Sequence, residues 1–257
     1  MFTSTLESDT AKFDHQIFER EIKAVIERSR LKLHSESPLK DFSADACKTF
    51  VVATTLRDGG SATRMRTYDS RKTFAFSGAI WEAARATSAA PTFFESIVIN
   101  QEIFGDGGVG WNNPAEEAIA EAHQIWPNRS IGCLVSLGTG LEDPIQLGDS
   151  KKTVARSLMK KGLPKQLFRI QVAEYCVACI TSCERIHRRL AEEGEGYGIG
   201  GSYFRFNVPQ GMSKIGLDEW EKIGDMITLT KNYMRADART SKEAVAKVLL
   251  EPQYARK

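Results

Sequence analysis

The sequence has little that would mark it as secreted, membrane-spanning or built around a metal. No apolar run approaches the ~20 residues a helix needs to cross a bilayer. The 257 residues include five cysteines, an odd number in a long chain, which argues against a disulfide framework. Net charge is +2, from 35 basic and 33 acidic residues, so the charge balance points to no nucleic-acid partner and no strongly acidic substrate. Met1-Phe2-Thr3-Ser4-Thr5-Leu6-Glu7-Ser8 offers neither a basic n-region nor an apolar h-region. No secretory signal is therefore expected, and the chain reads as cytoplasmic. There is no internal repeat, low-complexity tract or evident linker, so residues 1–257 read as one domain long enough to bury a sizeable core.

What is present alternates between strand and helix patterns. Phe18, Ile22, Val25 and Ile26 recur at helical spacing, with Glu19, Arg20, Lys23 and Glu27 on the other side. The polar stretch from Leu33 to Asp45, which carries Pro38, reads as a loop. Cys47 to Thr55 is apolar and β-branched, as expected of a strand buried on both faces in a parallel sheet. Asp58-Gly59-Gly60-Ser61 is a turn, and Arg64 to Tyr68 a further strand. Ile80, Ala83, Ala84 and Thr87 mark one side of a helix that ends before Pro91. Ile97-Val98-Ile99 and Glu102-Ile103-Phe104 flank Asn100-Gln101 as a hairpin. Ile131 to Leu137 reads as a strongly buried strand closed by Gly138-Thr139-Gly140, and Tyr203 to Val208 as an alternating strand. Residues 166–190, 217–235 and 241–250 read as helices. Alternating strands and helices imply an α/β sandwich of three layers around a mostly parallel central sheet.

One segment carries chemistry. Phe104-Gly105-Asp106-Gly107-Gly108 sets an acidic side chain on a glycine-rich turn just past a strand, where a reacting group can approach closely. Asn112-Asn113-Pro114 follows. Asn113 reads as an N-cap, Pro114 as the first helical position and Glu116 as the partner in a capping box. Arg85, upstream, reads either as a structural ion-pair donor or as a residue orienting the active-site wall; the structural role is favoured.

The blocks Trp81 to Phe94, Phe104 to Gly108 with Asn112-Asn113-Pro114, Val135 to Gly140 and Tyr203 to Val208 together resemble the patatin-like lipid acyl hydrolases, in family order. The resemblance covers roughly residues 12–235 and leaves 236–257 as a helical tail. It implies a Ser–Asp dyad in which a serine attacks an acyl ester and an aspartate takes its proton. Asp106 would be that aspartate, with Gly107 and Gly108 completing the Asp-Gly-Gly motif and Asn113, Pro114 and Arg85 supporting it. The implied substrate is a phospholipid or related lipid ester, with no metal and no organic cofactor. The serine of such enzymes sits in a Gly-x-Ser-x-Gly elbow, downstream of a glycine-rich oxyanion loop. No Gly-x-Ser-x-Gly occurs in these 257 residues. The expectation is a patatin-like domain lacking its N-terminal strands, with the aspartate half of the dyad only. The alternative is a catalytically dead lipid-binding or interaction module of the same fold.

Other features are weaker. Ser136 falls inside a strand, while Ser88 reads as a core or capping hydroxyl and Thr139 as a turn residue. Gly196 to Gly201 precedes a strand, whereas phosphate loops open a helix, so it reads as a hinge or turn. Cys176, Cys179 and Cys183 share a helical face with His187 four residues on; a buried face of small residues is favoured over a metal site. Seven basic residues between Lys151 and Arg169, interleaved with Val154, Leu158 and Leu163, read as a solvated loop in preference to a segment making peripheral contact with a membrane.

Overall fold

In the computed structural model, residues 11–43, 45–57, 60–91, 93–141, 183–199, 201–212, 215–216 and 218–250 are described. They fall into two compact units, one ending at Pro114 and one starting at Ala115.

The first unit opens with α1 (His15–Glu27), whose Asp14 Oδ1 accepts the Gln16 N–H at 2.7 Å, satisfying a free donor of the first turn. Of the expected apolar stripe only Ile26 is buried and Val25 is 62% exposed. Phe18 instead stacks on Phe94, with ring centroids 4.6 Å apart. The sheet contains β1 (Phe50–Thr55), β2 (Ser61–Arg66), β3 (Ile97–Ile99) and β4 (Glu102–Asp106) in the order β2-β1-β4-β3.

Every pairing in this sheet is antiparallel, which corrects the expectation of a mostly parallel one for these strands. The physical reason is visible at two of the three pairs. Residues 56–60 and Asn100-Gln101 are too short for the crossover that parallel strands need. The apolar run at β1 is buried because the strand is central, and that burial says nothing about strand direction. Asn100 and Gln101 both lie at positive φ, 50° and 69°, the backbone a two-residue type I′ hairpin turn requires.

Helix α2 (Ile80–Thr87) covers one face of the sheet. Ala83 and Ala86 are fully buried against Ala53, Met65, Ile99 and Phe104. Alanine here permits close helix–sheet approach, as the sequence suggests, although the buried positions are 83, 85 and 86 and Ala84 is only half-buried. The helix stops at Ser88, ahead of Pro91. On its outer side Trp81 Nε1 donates to Glu36 Oε2 at 2.7 Å, and Lys23 Nζ lies 4.1 Å from the centre of the Trp81 ring.

A single kinked turn, α3 (Gly108–Trp111), follows β4, with Gly110 at φ +100°. The second unit then comprises α4 (Ala115–Ile125), β5 (Leu134–Leu137), α5 (183–193), β6 (Tyr203–Phe206), α6 (Ile223–Arg235) and α7 (Arg239–Leu250). Its core is Ala115, Ile119, Ile186, Leu190 and Ile199. Strands β5 and β6 are parallel, with Leu134 opposite Tyr203 and Leu137 opposite Phe206. The expected deep burial of β5 is not found: only Ser136 is buried, and Leu137 is 75% exposed. The protein is thus α/β, with its parallel pairing among the described residues confined to β5 and β6.

Candidate functional site

Asp106 is the last residue of β4 rather than a residue beyond it. It faces Ala53 across the β1–β4 ladder, and its backbone groups are satisfied from two directions. Its N–H donates to the Ala89 carbonyl at 3.2 Å, in the turn that ends α2. Its carbonyl accepts the Thr54 hydroxyl of β1 at 2.8 Å. The Asp106 Oδ1 accepts the Gly108 N–H at 2.5 Å, an Asx-type turn that orients the carboxylate relative to its own backbone.

Gly107 explains why the motif needs glycine. Its φ is an ordinary −66°, so conformational freedom is not the reason. A Cβ there would sit 2.0 Å from the Val52 carbonyl oxygen and 2.7 Å from its carbon. The turn is wedged against the β1 backbone, and no side chain fits. The same Val52 oxygen accepts the Thr87 hydroxyl at 2.6 Å. The alanine-rich helix block and the Asp-Gly-Gly block, which the sequence presents as separate signals, therefore meet at one place.

The remaining predicted residues are distributed otherwise. Arg85 is 1% exposed and points to α1 and the 93–95 segment. Its Nη2 donates to the Glu95 carbonyl at 2.5 Å, its Nε lies 3.4 Å from Glu19 Oε1, and its guanidinium sits over the Phe94 ring. Burial pulls the Arg85 pKa below its ordinary value, against the opposing pull of Glu19 and Glu95. The Glu19 contact is an ion pair without hydrogen-bond alignment, since Nε and Nη1 are both buried and lack hydrogen-bond partners. Arg85 is thus buried between α1 and the 93–95 segment. Asn113 is buried at 2% exposure and Pro114 directly precedes α4. Glu116, expected in a capping box, engages Arg189 Nη1 at 2.8 Å through its Oε1.

Ser88 is the C-cap of α2. Ser136 lies within β5 and accepts Arg205 Nη1 at 2.7 Å. The glycine run ending at Gly201 leads into β6, with Gly198 and Gly201 at φ +70° and +72°, the turn geometry expected of it. His187 Nδ1 is 3.2 Å from the Tyr203 hydroxyl. Cys176, Cys179 and the basic stretch 151–169 lie outside the described residues. Among the described residues no group of three His, Cys, Asp or Glu converges to hold a metal.

Sequence reasoning missed the residues that hold Asp106: Thr54, Thr87, Val52 and Ala89. The only signal was a threonine on the strand and another on the helix, and threonine in a strand is ordinarily a matter of β-propensity.

An acidic side chain fixed on a glycine-wedged turn at the end of a strand, braced by an alanine-rich helix, is an arrangement suited to a general base in an α/β hydrolytic enzyme. Comparison gives the family. Residues 3–119 match the model of the patatin-like phospholipase family, and the chain is a member of that family. It is 31% identical over 172 residues to calcium-independent phospholipase A2-gamma of Mus musculus, covering 66% of this chain and 20% of that protein. The Homo sapiens protein of the same name matches at 31% over 172 residues, 66% of this chain and 19% of that one. Phospholipase A I of Arabidopsis thaliana is 43% identical over 61 residues, 24% of this chain and 5% of that protein. The chain spans about a fifth of the length of the phospholipase A2-gamma relatives.

Proposed function

We propose that this chain carries the base-bearing part of a serine acyl hydrolase that cleaves acyl esters of phospholipids or related lipids. Asp106 takes the proton of a serine hydroxyl as that hydroxyl attacks the ester carbonyl, and returns it to the departing alcohol. The observation that carries this reading is the turn at Asp106, whose carboxylate is held by the Gly108 N–H and whose next residue has no room for a side chain. A base must be held within a fraction of an ångström of its partner, and this turn is built for that. The names of the relatives, calcium-independent phospholipases A2, fit a reaction that does not depend on calcium.

No Gly-x-Ser-x-Gly lies in these residues, so on this reading the nucleophile comes from sequence other than these 257 residues. The same observation favours a second reading, a lipid-binding module without turnover. The two are separated by assaying release of fatty acid from phosphatidylcholine vesicles by the chain joined to its native upstream coding sequence. Turnover appearing only with an upstream Gly-x-Ser-x-Gly supports the hydrolase. Vesicle binding without release of fatty acid, with or without that extension, favours the binding module.

A further inference from the structure

Two hydroxyls outside the Asp106 turn bear on its backbone, one on the turn itself and one on the strand against which it is wedged. Thr54, the penultimate residue of β1 and 3% exposed, donates to the Asp106 carbonyl at 2.8 Å. That carbonyl is at the end of the β1–β4 ladder, where the register stops at Ala53 opposite Asp106. Beyond this point regular strand pairing no longer fixes the chain. Thr87, on the last turn of α2, donates to the Val52 carbonyl at 2.6 Å. This oxygen is also the surface against which Gly107 is wedged. The two hydroxyls act on carbonyls of adjacent strands: one holds the carbonyl of Asp106 in β4, the other the Val52 carbonyl in β1, on which Gly107 rests. With the Ala89 carbonyl on the Asp106 N–H, the turn is tied to both β1 and α2.

We propose that Thr54 and Thr87 are positioning residues for Asp106, setting where its carboxylate lies without touching substrate. The proposal rests on the reading of Asp106 as the base, but its structural half can be tested without turnover. Valine at either position keeps the shape and removes the donor. It removes one of the hydrogen bonds that hold the turn or its support, so the peptide is free to shift, and a shift of about 1 Å at a reacting group costs on the order of 10²-fold in rate. Serine keeps the donor.

The experiment has two arms. In the 257-residue chain, amide hydrogen exchange is followed by NMR at Asp106 and Gly108, the latter being the donor to Asp106 Oδ1. Thr54→Val is expected to accelerate exchange at both at least about tenfold while leaving amides in β2 and β3 unchanged, and Thr54→Ser to restore protection. Thr87→Val is expected to do the same at Gly108. Unchanged exchange at Gly108 in both valine variants overturns the proposal, as does acceleration spread evenly over the sheet. Thr54→Ala replaces the valine variant if that fails to fold, with the same expectations.

In the chain joined to a Gly-x-Ser-x-Gly segment that confers turnover, Thr54→Val is expected to lower kcat about tenfold with KM unchanged, rescued by serine. A change in KM alone overturns the positioning role. Asp106→Asn in that same background separates the two ideas. If it leaves turnover intact, the base reading fails, and the exchange result still decides whether the hydroxyls hold the turn.

Discussion

Replacing Gly107 by alanine should damage this protein far more than replacing its neighbour Gly105, and the structure gives the size of the difference. An alanine Cβ at 107 would lie 2.0 Å from the Val52 oxygen, 2.7 Å from its carbonyl carbon and 3.3 Å from its Cβ. Two of these three atoms are backbone in the central strand, and the oxygen is also held by Thr87, so neither can yield cheaply. Relief requires the turn to move by roughly 1 Å. Overpacking of this kind costs about 1–3 kcal/mol, occasionally more. For a chain of this length 1 kcal/mol shifts Tm by about 2–4 °C, so Gly107→Ala should lower Tm by about 2–12 °C. At Gly105 the new Cβ would meet only the Leu56 side chain, at 3.5–3.8 Å. That is ordinary contact, and the reduced entropy of the unfolded chain should make Gly105→Ala neutral or stabilising by about 0.4–1 kcal/mol. Thermal unfolding followed by circular dichroism, with urea titration as a check, measures both. A Gly107→Ala protein melting within about 1 °C of the parent would refute the steric argument, as would equal losses at 105 and 107.

Arg85→Ala should destabilise by about 3–5 kcal/mol in urea unfolding, because it removes one partner from a buried ionic arrangement and leaves Glu19 and the Glu95 carbonyl uncompensated. A loss under about 1 kcal/mol would show that the guanidinium is not structural. Glu36 has its carboxyl held below the usual range, first by the hydrogen bond from Lys23 and then by that from Trp81. The sign follows from linkage: the stabilisation is present above the unfolded carboxylate pKa and is lost as pH falls through the lowered folded value. Glu36→Gln should therefore destabilise at pH 7 and converge on the parent in strong acid, with Trp81 emission reporting the parent's transition below pH 4.5. An equal difference at pH 7 and in strong acid would contradict this.

What the sequence made legible was local. The β3–β4 hairpin was readable because Asn100-Gln101 separates two short β-branched or apolar runs, and α2 because its alanines recur at helical spacing before Pro91. Strand direction was not legible. The run ending at Thr55 is buried by being central, and centrality looks the same in parallel and antiparallel sheets. Nor was the exposure of β5 legible, since Ile131 to Leu137 reads as core and only Ser136 is buried. At the site, Asp106 stood out through its glycines, and the crowding at Val52 now gives the reason for the first of them. The residues that hold it did not stand out. Thr54 is 52 positions away along the chain, and its hydroxyl is indistinguishable in sequence from any other strand threonine. Arg85 lay inside a recognisable block, yet its partners Glu19 and Glu95 come from α1 and a loop, so only the folded arrangement shows that it braces the scaffold.

The most direct test of the central claim is steady-state hydrolysis of phosphatidylcholine by Asp106→Asn, in a chain that also carries a Gly-x-Ser-x-Gly segment and turns over. Asparagine is nearly isosteric and its Oδ1 can still accept the Gly108 N–H, but it cannot take a serine proton. The account predicts a fall in kcat of about 10²–10⁴-fold, the usual contribution of a general base, with an unchanged melting temperature. Turnover within tenfold of the parent, in a protein that remains folded, would show that Asp106 is not the base.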